Sequence, residues 1–223
     1  VAHAVNRAEL VRFRGPDVTR EGQSLVPRGY QGFTADVGLP GFDQARARAL
    51  LAEAGYPNGL TVRVIHTQLP EMLNMMQVVQ QQLRRSGITL DLQVVEHATF
   101  HQQIRQDLSP LVYYSAARFP VADIYLTQFF HGRSRVGTPM AVTNFSHCDQ
   151  ADAQIDAARV STNTEEQLRL WAEAQRILVR EVCGVPLIET LLVFARRDNV
   201  DYGYELRGSM SLGPVITERS RMR

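Results

Sequence analysis

Apolar positions along the chain follow two periods, one helical and one of strict alternation. Ala4, Val5, Ala8, Leu10 and Val11 fall at helical spacing and predict a helix over residues 2–13, ended by Gly15-Pro16. Residues 15–42 carry glycine or proline at 15, 16, 22, 27, 29, 32, 38, 40 and 41, which predicts a long irregular connection packed along a surface. Asp43 is placed to cap the helix ARARALLAEA, and Gly55 follows it where a positive φ is needed. After the turn Tyr56-Pro57-Asn58-Gly59, Leu60, Val62 and Val64 alternate with Thr61 and Arg63, predicting a strand with one buried face. Pro70 and Glu71 open a second helix whose stripe is Met72, Met75, Met76, Val79 and Leu83. Gly87 closes it, and Ile88, Leu90, Leu92 and Val94 alternate as a second strand.

His97–Leu108 reads as a helix with Phe100, Ile104 and Leu108 inward, followed by a short apolar strand at Leu111–Tyr114 and a helix at Ala122–Phe130. Beyond the polar run HGRSRVGT, Asp149–Val160 predicts a helix. Thr164 with Gln167 has the capping-box pattern of another helix running to about Val182. Val185–Phe194 predicts a last strand, and the tail from Arg196 is mixed. Strands alternating with helices from residue 43 onward predict an α/β layered fold with parallel pairs. Ligands of such sheets bind beyond the carboxyl ends of the strands, which directs attention to His66–Leu69, Glu96–His97 and Tyr113–Phe119.

Composition narrows the function more than the fold. The 223 residues suffice for one large domain, and 44% hydrophobic with 21% charged residues is ordinary for a packed soluble protein. A net charge of +1 gives no field to gather nucleic acid or an anionic membrane. All 24 basic residues are arginine, scattered rather than clustered, which reads as genome composition before it reads as anion binding. No apolar run is long enough to span a bilayer and no signal peptide opens the chain, which begins as if in mid-protein. The chain has no phosphate loop, no G-x-G-x-x-G after a strand, and in Gly132–Gly137 a spacing one residue too long for a nucleophile elbow. Glu165-Glu166 sit in a helix's first turn, where they complement its dipole. A hydrolase is therefore the weaker alternative, and no cofactor is expected.

The run FDQARARALLAEAGYPNGLTVRV resembles a stretch of the family 5 extracellular solute-binding proteins, as does QVVQQQLRRSGITLDLQVVE after it. AHAVNRAELV is similar to the helix that begins that family's second lobe, and LRLWAEAQRILVREVCGVPLIE to its late helix and Val-Pro strand. The resemblance implies one lobe of a type II periplasmic-binding-protein fold, a mixed sheet flanked by helices. Residues 1–185 would form the C-terminal lobe and residues 186–223 the segment crossing back toward a first lobe. It further implies a peptide or other small solute held between lobes that close by hinge motion and delivered to the permease subunits of an ABC importer. The setting implied is the bacterial periplasm, reached by a signal peptide outside this sequence. A sensory binding protein that reports to a receptor is the alternative reading of the same fold.

On that resemblance, Tyr113, Tyr114, Ser115 and Arg118 are candidate ligand contacts. Relatives carry an aromatic residue and then an acidic one that pairs with a peptide's ammonium; here the acidic position falls on Ala116 or Ala117. Burying an ammonium without a carboxylate is costly, so this segment favours a carboxylate or phosphate met by Arg118, and the other lobe is left to supply any negative charge. Thr67 and Gln68 could offer neutral hydrogen bonds, and Asp123 reads as a cap. His97 and His101 have metal-compatible spacing, but Ala98, Thr99 and Phe100 stand between them where a zinc site would place glutamate, so no metal site is expected. Met72, Met75 and Met76 read as core. Cys148, which precedes one helix, and Cys183, which ends the next, are open to pairing.

Overall fold

The computed structural model describes residues 1–138, 143–205 and 214–222. A 3₁₀ turn at Ala2–Ala4 precedes α1 (Arg7–Arg14), so the expected helix over residues 2–13 is broken at Asn6. The Asn6 side chain accepts from the Glu9 N–H, and this is why the chain restarts there rather than running straight through. Gly15, at φ 107°, terminates α1 in a conformation that a side chain would resist. The irregular connection that follows contains a short strand, β1 (Thr19–Glu21).

Next come α2 (Gln44–Glu53), capped by the Asp43 side chain on the Arg46 N–H, then β2 (Leu60–Thr67), α3 (Pro70–Arg85), β3 (Ile88–Val95) and α4 (His97–Arg105), capped by Glu96. β2 and β3 pair in parallel from Leu60 opposite Ile88 to Thr67 opposite Val95, with α3 as the crossover. Most of the methionine stripe is core: Met75, Met76, Val79 and Leu83 are almost wholly buried with Val64, Ile88 and Leu90, whereas Met72, one turn nearer the helix start, is only partly buried and outside the cluster. Each such side chain contributes about 2 kcal/mol by its removal from water. Gln82, buried on the same helix, holds α1 through the Asn6 backbone (2.9 and 3.2 Å) and Glu9 (3.0 Å).

α5 (Ala122–Phe130), α6 (Asp152–Val160) and α7 (Thr164–Arg180) form a second core around Leu126, Ile155, Trp171 and Leu178. Asn163, not Thr164, caps α7, its side chain accepting from the Glu166 N–H. Asp123 does not cap α5; it pairs with Arg159 of α6 at 3.1 Å. Gln175 of α7, fully buried, binds Ser24 (2.6 Å) and the Gly32 carbonyl (2.9 Å), which fastens the irregular connection to this core. A smaller cluster of Ile65, Phe100 and Ile104 joins α4 to β2. Leu108, expected inward, is exposed beyond the end of α4, and Val94 is half exposed.

β4 (Ile188–Thr190) is three residues of the strand expected over 185–194, and it pairs antiparallel with β1. β5 (Val200–Asp201) and β6 (Arg221–Met222) form a second antiparallel pair in the tail. Leu111–Tyr114, expected as a strand, is not one. At the edge of β2 the Ile65 N–H donates to the Ser109 hydroxyl (3.0 Å), which donates onward to the Leu111 carbonyl (2.8 Å), so a side chain stands where a strand ladder would. Among the described residues the strands thus form three separate two-stranded sheets, one parallel and two antiparallel, rather than one continuous mixed sheet. No helix among the described residues is long and apolar enough to cross a membrane.

Candidate functional site

Between the two cores lies an open cleft of roughly 1700 Å³. One wall is the irregular segment 107–117, and the facing wall is the run 182–192 with parts of the connection after α1. The Cys148–Cys183 disulfide (Cα–Cα 5.9 Å) anchors the start of that second wall to the residues before α6. Apolar side chains such as Val5, Met76, Leu111 and Leu187 line it beside the tyrosines and a few polar groups, the usual make-up of a small-molecule site.

The tyrosine wall is held from behind by rings. Tyr113 stacks on His66 (5.7 Å between centroids, 16° between planes), and His66 in turn lies against Phe100. His66 is fully buried, and burial pushes its pKa down, partly countered by its hydrogen bond to the Thr67 carbonyl. Tyr114 packs against His101, Phe129 and Phe145. Tyr125 of α5 closes the end of the wall: its hydroxyl accepts from the Arg118 N–H (3.2 Å) and donates to the Ala116 carbonyl (3.3 Å). Burial, followed by the neighbouring Tyr30, pushes the Tyr125 phenol far above its ordinary range, so it remains a neutral donor.

The candidates named from sequence separate here. Tyr113, Tyr114 and Ser115 line the cleft. Arg118 does not: its Nε donates to Gln128 (2.6 Å), its Nη1 to the Ala117 carbonyl (2.8 Å), and its guanidinium lies over Phe129. Thr67 and Gln68 also lie off the lining. Thr67 is buried with its hydroxyl on His97 Nδ1 (3.0 Å), and Gln68 is exposed. His97 and His101 meet at 3.2 Å through their Nε2 atoms, and no group of three or more metal-ligating side chains occurs among the described residues. Burial, then His97 and Arg105, lowers the His101 pKa, which disposes His101 to stay neutral.

The charges that do line the cleft were not singled out from sequence. Arg14 and Glu71 pair at 3.1 Å, Arg20 and Glu189 at 2.6 Å, and Asp107 and His147 at 2.9 Å, and the exposed Arg28 also lies on the lining, its backbone N–H on Glu189. Arg14 is the last residue of α1, where an arginine reads as a partner of the helix dipole. Only the folding of α1 against α3 turns it toward the tyrosine wall.

The model of the family described as bacterial extracellular solute-binding proteins, family 5 Middle, matches residues 1–136. Glutathione-binding proteins of Salmonella typhi and Escherichia coli strain K12 are each 26% identical over 208 residues, covering 89% of this chain and 40% of the relative. The chain therefore spans about 40% of the length of the curated relatives it matches. Among solved structures, a binding protein from A. tumefaciens R10 in complex with mannopinic acid is 49% identical, with a TM-score of 0.87 over 100% of this chain and 45% of its own. A periplasmic binding protein from Helicobacter pylori in complex with the peptide STSA shares the fold at 20% identity, with a TM-score of 0.76 over 95% of this chain and 41% of its own.

Proposed function

Because this chain belongs to the bacterial extracellular solute-binding proteins of family 5, we propose that it is the ligand-holding lobe of the substrate-binding component of an ABC importer. Its role is to bind a small solute, not to transform it. The observation that carries this reading is the open, mostly apolar cleft walled by Tyr113–Ala117, in a chain 49% identical throughout to a binding protein that holds mannopinic acid. The solute is a peptide or a peptide-like amino-acid derivative, taken up outside the cytoplasmic membrane and handed to permease subunits.

Residues 1–185 act as the second lobe, and residues 186–223 lead back toward a first lobe that completes the site. Support for this division comes from the tail. Leu192, Val193, Val215 and Ile216 are all more than half exposed, whereas the apolar residues of the helical cores are buried. Apolar surface of that kind marks a face that meets further polypeptide.

Thermal unfolding of the full-length protein containing this chain tests the proposal, with mannopinic acid, glutathione, dipeptides and neutral oligosaccharides as probes. A probe at 100 times its Kd stabilises the folded state by about 2.7 kcal/mol. A shift with one chemical class supports the reading. Hydrolysis of any probe, or no shift with all of them, overturns it.

A further inference from the structure

The charged groups of the cleft differ in what they already hold. Glu189 is almost buried and has both oxygens engaged, one by Arg20 Nε at 2.6 Å and the other by the Arg28 N–H at 3.1 Å. Asp107 is occupied by His147 at 2.9 Å. The tyrosine wall itself, Tyr113–Ala117, carries no charge. Arg14 and Glu71 are placed differently. Glu71 stands in the first turn of α3 with its side chain 80% exposed, and it engages Arg14 through one oxygen only. Arg14 meets it through Nη2 alone, and its Nε is shielded from solvent without an acceptor among the described residues. A guanidinium offers a second edge to a carboxylate when one edge is taken. Its positive field also reaches the Tyr113 phenol, where it works against the rise that burial causes.

We infer that Arg14 and Glu71 form the charge-reading subsite of the cleft, built for a small zwitterion. The ligand's carboxylate takes the unfilled edge of Arg14 together with the Tyr113 hydroxyl, and the ligand's ammonium takes the free oxygen of Glu71. The inference rests on the cleft being the ligand site. It moves anion recognition from Arg118, which is committed to Gln128 and the Ala117 carbonyl, to the end of α1. It also places a carboxylate for the ammonium within this lobe, although Ala116 and Ala117 supply none. Neutral sugars are the disfavoured class, since they offer Arg14 only an uncharged acceptor and Glu71 no cation.

The test is calorimetric titration of the full-length protein with mannopinic acid, agropinic acid, the dipeptide Met-Leu, glutathione and uncharged mannitol. Arg14→Gln is expected to weaken the tightest zwitterionic probe by roughly 10- to 150-fold, the range for a lost hydrogen bond to a charged group. Glu71→Gln, at an exposed position, is expected to weaken it by roughly 2- to 5-fold. Methyl esterification of the probe should weaken wild-type binding and abolish the further loss caused by Arg14→Gln. Arg14→Lys keeps the charge without the fork, and an intermediate loss would separate ligand contact from a folding defect. Wild-type affinity in Arg14→Gln, with loss of binding in Tyr113→Ala, overturns the subsite while leaving the cleft reading intact. A drop in melting temperature without a change in Kd likewise overturns it, by making Arg14 a strut between α1 and α3. Tightest binding of mannitol overturns the zwitterion assignment. No binding by any probe overturns both readings.

Discussion

Removing the Cys148–Cys183 disulfide should weaken the helical core more than any single substitution at its edge. The bridge joins residues 35 apart in sequence, and both cysteines are buried in the same cluster as Trp171. Closing a loop of that length in the unfolded chain removes entropy worth about 3.8 kcal/mol at 25 °C in the chain-entropy treatment. Cys148→Ala together with Cys183→Ala deletes the link without burying new polar groups. Urea unfolding can be followed through Trp171, the one tryptophan of the chain. With a denaturant slope of about 2–3 kcal/mol/M, the midpoint should fall by roughly 1.3–1.9 M, and wild type in excess reductant should unfold with the double variant. Identical midpoints for wild type and variant, with and without reductant, would refute the argument that loop closure carries this stability.

Three further outcomes follow from the same structure. Tyr125→Phe leaves the Arg118 N–H and the Ala116 carbonyl without their shared partner, so stability should fall by about 1–2 kcal/mol and ligand affinity by several-fold, measured by unfolding and titration of the one variant. His66 is buried with a lowered pKa, so the unfolded chain protonates first as pH falls. Its contribution is therefore complete above about pH 6.5 and is lost progressively below it; His66→Phe, which keeps a ring between Tyr113 and Phe100, should flatten the fall in melting temperature between pH 6.5 and 5. Gly32 has φ 85°, and a Cβ there would lie 2.7 Å from the Trp171 ring and 2.6 Å from the Ala122 Cβ, so Gly32→Ala should destabilise by about 2 kcal/mol or more and perturb Trp171 fluorescence.

Local grammar in the sequence foretold much of the fold. The Asp43 cap is an interaction within one helical turn, and the alternation of β2 and β3 and the stripe of α3 each lie within a single element, so all are legible in a linear pattern. Where the reading failed, a distant group had intervened. Leu111–Tyr114 has a strand's composition, but the Ser109 hydroxyl occupies the edge of β2 that would pair with it. Thr164 has a capping pattern, yet Asn163 one residue earlier reaches the free N–H. The site divides in the same way. Tyr113, Tyr114 and Ser115 follow one another in sequence and were legible as a unit, whereas Arg14, Glu71, Arg20 and Glu189 come from four separate segments that only the tertiary fold assembles. Arg118 looked like the cleft's cation because it neighbours the tyrosines, and Gln128 on the next helix takes it away.

The pairing of β1 with β4 has a consequence for how the chain reaches this state. Thr19 lies opposite Thr190, so the register cannot form until the chain has been made as far as residue 190. Contacts so distant in sequence are slow to form, because the entropy of closing the intervening loop is lost before the contact returns anything. A chain delivered N-terminus first at about 5–20 residues per second holds β1 without its partner for roughly 9–34 s. An unpaired edge over that interval invites association with other chains, and a strand of only three residues offers little of it. The brevity of β1 thus suits a strand that must wait for a partner so far along the chain.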